Sequence, residues 1–292
     1  MNSMSKHSRS QCWALRSRTL EFTSLPVIMG IVNVTHDSFS DGGKYFGAPN
    51  AVEHALQLVT DGAGILDIGG ESTRPYSDPV GLQQELDRVI PVIEQVARQT
   101  DVPISIDTSK AEVARAAIEA GAEIINDVTG LEGDPQMIEV ARQSAAGICA
   151  MHMQGTPQTM QDNPVYKDVV EDIYRYLGQR RDVLVQAGIA IEKICLDPGI
   201  GFGKTHAHNL QLLKSCDRFH ALDCPVLVGH SRKGFIAHVL DDRECERMSG
   251  TVGAALGLAT QGVQIIRVHD VAELHRALSL FQETFPQRNL SR

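Results

Sequence analysis

The chain repeats one pattern: a short apolar run, a polar tip, then a stretch with helical spacing. Ile28-Met29-Gly30-Ile31-Val32 leads into Asn33-Val34-Thr35-His36-Asp37, and Ile65-Leu66-Asp67-Ile68 into Gly69-Gly70-Glu71-Ser72-Thr73-Arg74-Pro75. The runs around Ile104, Ile124, Ile194, Val226 and Ile265 end in the same way, at Asp107, Asn126, Asp197, Gly229 and Arg267. Strands are expected near 27–32, 65–68, 104–107, 124–126, 147–151, 194–197, 226–229 and 264–268. They are rich in Ile, Val and Leu, as strands covered on both faces should be. Strand, polar tip and helix in eight repeats predict an α/β fold, a (β/α)8 TIM barrel that gathers one site at the carboxyl ends of its strands. An open doubly wound sheet is the alternative architecture, and eight strands rather than five or six favour closure.

Helical faces are marked by Ala51, Ala55, Leu58 and Val59, by Leu86, Val89, Ile90, Ile93 and Val96, and by Val113, Ala117, Ile118 and Ala120. A long helix is expected over 166–187, with Val169, Ile173, Tyr176 and Leu184 on one side. Gly62, Gly121, Gly188 and Gly262 follow helical stretches and suit left-handed caps. Residues 12–22 alternate like a strand or hairpin, and 1–11 read as a loose tail before a single domain over 12–292. The basic N-terminus (Lys6, Arg9, Arg16 and Arg18, with no acid before Glu21) is compatible with a transit peptide, but the alternation favours the hairpin. The loops at 36–49 and 71–80 are long and polar, as lids or clamps at a catalytic face are.

With 292 residues, the chain suits one large α/β domain. A net charge of −9 argues against a nucleic-acid partner, though a local basic cluster could still hold an anion. The six cysteines form no C-x-x-C pair, and the chain reads as a reduced, cytoplasmic protein. There is no apolar run of the roughly 18 residues a membrane helix needs.

Asp107, Asn126 and Asp197 at three strand ends suit a heterocycle with N–H donors and ring acceptors. For Asp107 the competing reading is that, with Thr108 and Ser109, it caps the helix that starts at Lys110. Arg267-x-His269 and Ser231-Arg232-Lys233 follow the last two strands, where barrels often hold phosphate; each motif alone would read as a surface salt bridge. The glycine-rich run 199–204 is neither a Walker loop nor a dinucleotide fingerprint and reads as a permissive turn. Met151 reads as an apolar pocket wall rather than part of a metal site at His152. The residues by themselves lead to a barrel enzyme for a polar heterocycle and a phosphorylated group.

Together, Met29–Thr35, Asp37–Gly43, Asp67–Pro75, Ile106–Thr108, Leu196–Gly199, Ser231–Lys233 and Arg267–His269 resemble the dihydropteroate synthase family of folate biosynthesis, in the family's order and over nearly the whole chain. The resemblance implies a transferase that condenses 6-hydroxymethyl-7,8-dihydropterin diphosphate with 4-aminobenzoate, releasing diphosphate. It implies Mg2+, a homodimer and sulfonamides as competing inhibitors. It places the pterin on Asp107, Asn126, Met151, Asp197, Phe202 and Lys233, and the diphosphate on Asn33, Arg267 and His269, with Asn33 at the metal. It places 4-aminobenzoate on Phe39, Thr73, Arg74, Pro75 and Ser231. Asp107, Asp197, Lys233, Arg267 and His269 are the implied catalytic set. Two positions depart from the family's usual pattern: His36 replaces a common proline, which would loosen the first loop, and His230 replaces an apolar residue, making it a candidate source of local pH response. A pterin-dependent methyltransferase shares the barrel and the carboxylates but needs neither the diphosphate anchor nor the aminobenzoate clamp; a non-catalytic pterin-binding paralogue is the other alternative.

Overall fold

The computed structural model describes residues 9–34, 47–73, 76–242 and 244–285. Among them a two-stranded hairpin, β1 (Cys12–Ala14) with β2 (Thr19–Glu21), precedes eight parallel strands. These are β3 (Val27–Asn33), β4 (Ile65–Gly69), β5 (Ile104–Asp107), β6 (Ile124–Asp127), β7 (Gly147–Met151), β8 (Ile194–Asp197), β9 (Leu227–Gly229) and β10 (Ile265–Val268). Their order in the sheet is β8-β7-β6-β5-β4-β3-β10-β9, and a single parallel bridge from Leu196 to Val226 joins the two outer strands. The expected barrel is therefore present, and its seam lies between β8 and β9.

Helices α1 (Gly47–Thr60), α2 (Leu82–Ala97), α3 (Ala111–Glu119), α4 (Met137–Ser144), α5 (Val169–Gln186), α6 (His206–Leu213), α7 (Gly234–Leu240), α8 (Met248–Thr260) and α9 (Val271–Thr284) connect the strands. The marked faces of α1, α2 and α3 bury most of their expected residues: Ala55, Leu58, Val89, Ile93, Val113 and Ala117 are all inside. On α5 the expectation needs one change. Leu177 and Arg180, not Tyr176, continue the buried stripe of Val169, Ile173 and Leu184, because steps of four and three residues keep one face of a helix inward. Arg180 can be buried because its guanidinium donates to the carbonyls of Gly130 and Leu131. The four glycines expected at helix ends all have positive φ.

Strand alternation divides the barrel into two layers. Met29, Ile65, Ile124, Cys149, Cys195, Leu227 and Ile265 form one apolar cluster with Trp13, Leu15 and Phe22 of the hairpin region. The residues between them, such as Leu66, Ile125, Ile148, Leu196 and Ile266, belong to the larger cluster beneath the helices. The hairpin thus closes the amino end of the barrel. Trp13 is fully buried and its Nε1 donates to the Lys193 carbonyl at 2.9 Å. Ser17 and Arg18 both donate to Glu123, at 3.0 and 2.8 Å. Gln11 already belongs to this plug, since its carbonyl accepts from Phe22 N–H at 2.8 Å.

Candidate active site

Two residues beyond six of the seven strand residues in the inner apolar layer, Met29 with Ile31 being the exception, the same strand face carries a side chain of the upper layer. Ile65 is followed by Asp67, Ile124 by Asn126, Cys149 by Met151, Cys195 by Asp197, Leu227 by Gly229 and Ile265 by Arg267. Asp107 stands beside Asn126 in the register of β5 and β6. A single pleat step separates scaffold from polar site.

Arg267 is the centre of this layer. Its Nε donates to Asp67 Oδ2 at 2.6 Å, and its Nη2 donates to Asp107 Oδ2 at 2.7 Å. Asn126 Nδ2 also donates to Asp67 Oδ2, at 3.1 Å, which leaves the amide oxygen of Asn126 to accept from another group. Asp67 is fully buried, and its Oδ1 has no hydrogen-bond partner among the described residues. Burial pushes Asp107 up to about 7, against the pull of Arg267 and with a further upward push from Asp67. Burial disfavours the charged form of Arg267, but Asp67 and Asp107 outweigh it and raise its pKa. Asp107 therefore pairs across the barrel rather than capping a helix. The cap of α3 comes from elsewhere: Asp134 Oδ2 accepts from Ala111 N–H at 2.9 Å.

Asp197 is buried at the end of β8, where burial raises its pKa, and its Oδ1 accepts from Gly199 N–H at 2.6 Å. The turn that follows needs glycine. Gly199 has φ +69°, and a Cβ there would lie 1.9 Å from the His152 carbonyl oxygen. Lys233 reaches back over this turn. Its Nζ donates to the Ile200 carbonyl and lies 4.4 Å from the centroid of the Phe202 ring. Burial pulls Lys233 down to about 7 while Asp197 pulls it up. Met151 is buried at the end of β7, in register with Asp197. Ser231 Oγ lies 2.9 Å from His269 Nδ1 and also accepts from the His269 backbone N–H at 3.3 Å.

The structure thus brings together Asp107, Asn126 and Arg267 as one group, Lys233 with Phe202 as a second, and Ser231 with His269 as a third. Asn33 is exposed at the end of β3, opposite Gly69 in the register, and Thr73 is half-buried on the loop after β4. Neither makes a hydrogen bond to the Arg267 network. Phe39, Arg74, Pro75, His36 and Asp37 lie outside the described residues. Arg232, between two site residues, forms the surface ion pair that was the alternative reading of its motif: its Nε donates to Asp270 at 2.9 Å. His230 is fully buried, and its Nε2 contacts the Thr251 carbonyl at 2.8 Å. Burial pulls its pKa down to about 4, so the structure gives no support to a pH response there near neutrality.

Two contributors were missed in the sequence. Asp67 is an acid inside an otherwise apolar parallel strand; such a charge must be paired, and that was the available signal. Lys204 is buried behind the pocket and contacts the Phe202 carbonyl at 2.8 Å, His152 Nδ1 at 3.0 Å and the His152 carbonyl at 3.4 Å. Three contacts match the three donors of an ammonium. Burial pulls Lys204 well down and Asp197 pulls it up. His152 is itself held down to about 3 by burial and by Lys204, so its ring is unprotonated near neutrality, and among the described residues it belongs to no group of three or more His, Cys, Asp or Glu that could hold a metal ion.

Barrel and polar layer together define an enzyme site for a small polar ligand at the carboxyl ends of the strands. Comparison with known proteins identifies the kind. The family described as "Pterin binding enzyme" matches residues 29–269. The dihydropteroate synthase of Escherichia coli K12 is 46% identical over 269 residues, which is 92% of this chain and 95% of that protein. The dihydropteroate synthase of Neisseria meningitidis serogroup B is 47% identical over 263 residues, 88% of this chain and 92% of that one. In three dimensions, a Yersinia pestis dihydropteroate synthase in complex with a sulfonamide drug superimposes with a TM-score of 0.87 at 45% identity, covering 94% of this chain and 98% of that one. The Xanthomonas albilineans enzyme with 4-aminobenzoic acid gives 0.87 at 44%, covering 95% and 100%. The chain belongs to the pterin-binding enzymes and, within them, to the dihydropteroate synthases.

Proposed function

We propose that this chain joins 6-hydroxymethyl-7,8-dihydropterin diphosphate to 4-aminobenzoate. The aniline nitrogen bonds to the pterin methylene carbon, the bond from that carbon to the diphosphate oxygen breaks, and the aniline gives up one proton. The products are 7,8-dihydropteroate and diphosphate. The observation that carries this reading is Arg267 held between Asp67 and Asp107 beside Asn126, directly above the apolar layer of the barrel. The Xanthomonas albilineans enzyme has also been solved with 7,8-dihydropteroate, and it superimposes on this chain with a TM-score of 0.82 at 42% identity.

In this reading Asp197, the free amide oxygen of Asn126 and Asp107 take the N–H edge of the pterin, between the Met151 wall and the Phe202–Lys233 side. Asp107 and Asp197 then face positive charge that develops on the methylene, and Arg267 with His269 takes the charge of the leaving diphosphate. Nη1 of Arg267 makes no hydrogen bond among the described residues and can meet an anion without giving up either carboxylate. Ser231, Thr73, Phe39, Arg74 and Pro75 are assigned to 4-aminobenzoate, and sulfonamides, with the same aniline end, compete there. The aniline is already a nucleophile, so a strong general base is not required.

The protein side of the assigned metal position is one exposed amide, Asn33, and no group of three or more His, Cys, Asp or Glu among the described residues could hold an ion. One hard oxygen fits Mg2+, which keeps its waters and takes the rest of its shell from phosphate. When bound, Mg2+ would offset charge on the diphosphate. The assembly proposed is a homodimer in the cytoplasm, and no helix among the described residues is long and apolar enough to cross a membrane.

The test is a coupled diphosphate-release assay on the full chain. Release that requires both substrates and is abolished by excess EDTA is expected. Release without 4-aminobenzoate, or none with both substrates, overturns the reading; full activity in EDTA removes the metal from it.

A further inference from the structure

The loop after β4 is tied down at its base by an ion network outside the site described above. Lys110 Nζ lies 2.5 Å from Glu71 Oε2 and 2.5 Å from Glu85 Oε2. Glu85 is fully buried on α2, and Glu71 is the second residue after β4. The other oxygen of Glu71 accepts from Val80 N–H at 3.0 Å, so one carboxylate bridges the first and last residues of the loop over 71–80. Arg88 holds the preceding carbonyl, donating to Gly70 O at 2.6 Å. Space is tight here: a Cβ on Gly70 would meet Val89 at 2.8 Å and Glu85 at 3.0 Å. Further along, Tyr76 N–H donates to the Pro157 carbonyl at 3.2 Å, and Gln158 Nε2 to the Ser77 carbonyl at 3.3 Å. The loop is thus held at its base to the rim beside Asp107 and further out to the loop after β7.

Lys110 supplies the charge partner of the buried acid of α2 through Glu85 Oε2, while Glu85 Oε1 has no hydrogen-bond partner among the described residues. Glu71 is not needed for that charge pairing; its side chain is 22% exposed, whereas that of Glu85 is fully buried. Its particular contribution is geometric, because it fixes two ends of one loop to a lysine that follows the Asp107 strand. Burial opposes the charge on Lys110, and the two carboxylates outweigh it, so the lysine stays charged and the tie stays closed at neutral pH.

We infer that the Glu71–Lys110 pair is a positioning device for the second substrate: it sets where Thr73 stands relative to the pterin pocket, and so governs capture of 4-aminobenzoate and of sulfonamides without touching either. This rests on the function proposed above. The pair acts on the second substrate alone, since the pterin residues lie on strand ends and on other loops.

Four forms of the full chain test it: wild type, Glu71→Gln, Lys110→Arg and Lys110→Met. Glu71→Gln keeps the Lys110–Glu85 pair and so keeps the fold. The expected result is a rise of about tenfold in both the KM for 4-aminobenzoate and the Ki for a sulfonamide. The KM for the pterin diphosphate and the kcat at saturation should stay within about twofold. Hydrogen exchange at the Val80 amide should speed up. Lys110→Arg should largely retain wild-type values, and Lys110→Met should show the same split with a lower melting temperature. Equal changes in both KM values, or faster Val80 exchange with an unchanged KM for 4-aminobenzoate, overturn the inference. A wild-type chain that releases no diphosphate would instead defeat the proposed function, and the two failures are told apart by that control.

Discussion

The two ends of the barrel are built from the same strands and obey opposite rules. At the amino end, Met29, Ile65, Ile124, Cys149, Cys195, Leu227 and Ile265 meet Trp13, Leu15 and Phe22, and the Trp13 indole N–H donates to the Lys193 carbonyl. One pleat step higher stand Asp67, Asp107, Asn126, Asp197 and Arg267. Burial there leaves an oxygen of Asp67 without a partner and pushes Asp107 and Lys233 towards about 7 from opposite sides. The lower layer uses burial to stabilise the fold. The upper layer spends stability on groups held ready for a ligand, as preorganised sites do.

That contrast is open to attack from either end. The largest effect should come from below. Trp13→Ala should cost about 3–5 kcal/mol in denaturant unfolding while leaving the KM for pterin diphosphate unchanged at temperatures where the protein is folded. A KM that rises in step with the loss of stability would show that the two layers are not independent.

A second effect concerns charge. The proposed chemistry needs Asp107 ionised to face the charge on the methylene, and takes Lys233, which lines the pterin pocket, as the ammonium that donates to a ring acceptor of the pterin. Burial raises Asp107 to about 7, so the carboxylate is lost as pH falls through that value. Burial lowers Lys233 to about 7, so the ammonium is lost as pH rises through it. The kcat/KM for the pterin substrate should therefore peak near neutrality and fall on both sides, by up to about tenfold per pH unit on each limb. In Asp107→Asn the remaining activity should lose its acid limb. A plateau from roughly pH 5 to 9 in the wild type would contradict the assignment of these two groups.

The smallest effect is expected at His230. Its ring is buried and its pKa is held at about 4, so His230→Met should leave the pH profile alone and change stability by about 1 kcal/mol or less. A shifted limb would place His230 in the titrating network.

Most of the barrel was legible in the sequence because its signals are local. The eight strands fall within a residue of the expected positions, and the hairpin lies where alternation over 12–22 places it. The strand-end positions of Asp107, Asn126 and Asp197 follow from the same local pattern. What the sequence did not show is which side chains meet. Arg267 and Asp67 are 200 residues apart, and Arg267 and Asp107 are 160 apart, so no spacing rule joins them. Asp107 resembled a cap because Thr108 and Ser109 follow it, yet the cap of α3 is supplied by Asp134 from a later loop. Tyr176 resembled a core residue because an aromatic ring is apolar over most of its surface; its hydroxyl instead donates to Glu132 at 2.8 Å, while Arg180 takes the interior position. Lys204 lies in a glycine-rich turn that has no hydrophobic period, and nothing local marks it as buried.

The central claim is that the polar layer one pleat above the core is the pterin pocket. Calorimetric titration of a pterin ligand into the wild type and into Asp197→Ala tests it most directly. Binding should weaken in the variant by about 1–3 kcal/mol or more, because ring donors lose their buried acceptor, while thermal unfolding stays close to wild type. Equal affinity for the two proteins would place the pterin elsewhere and contradict the account.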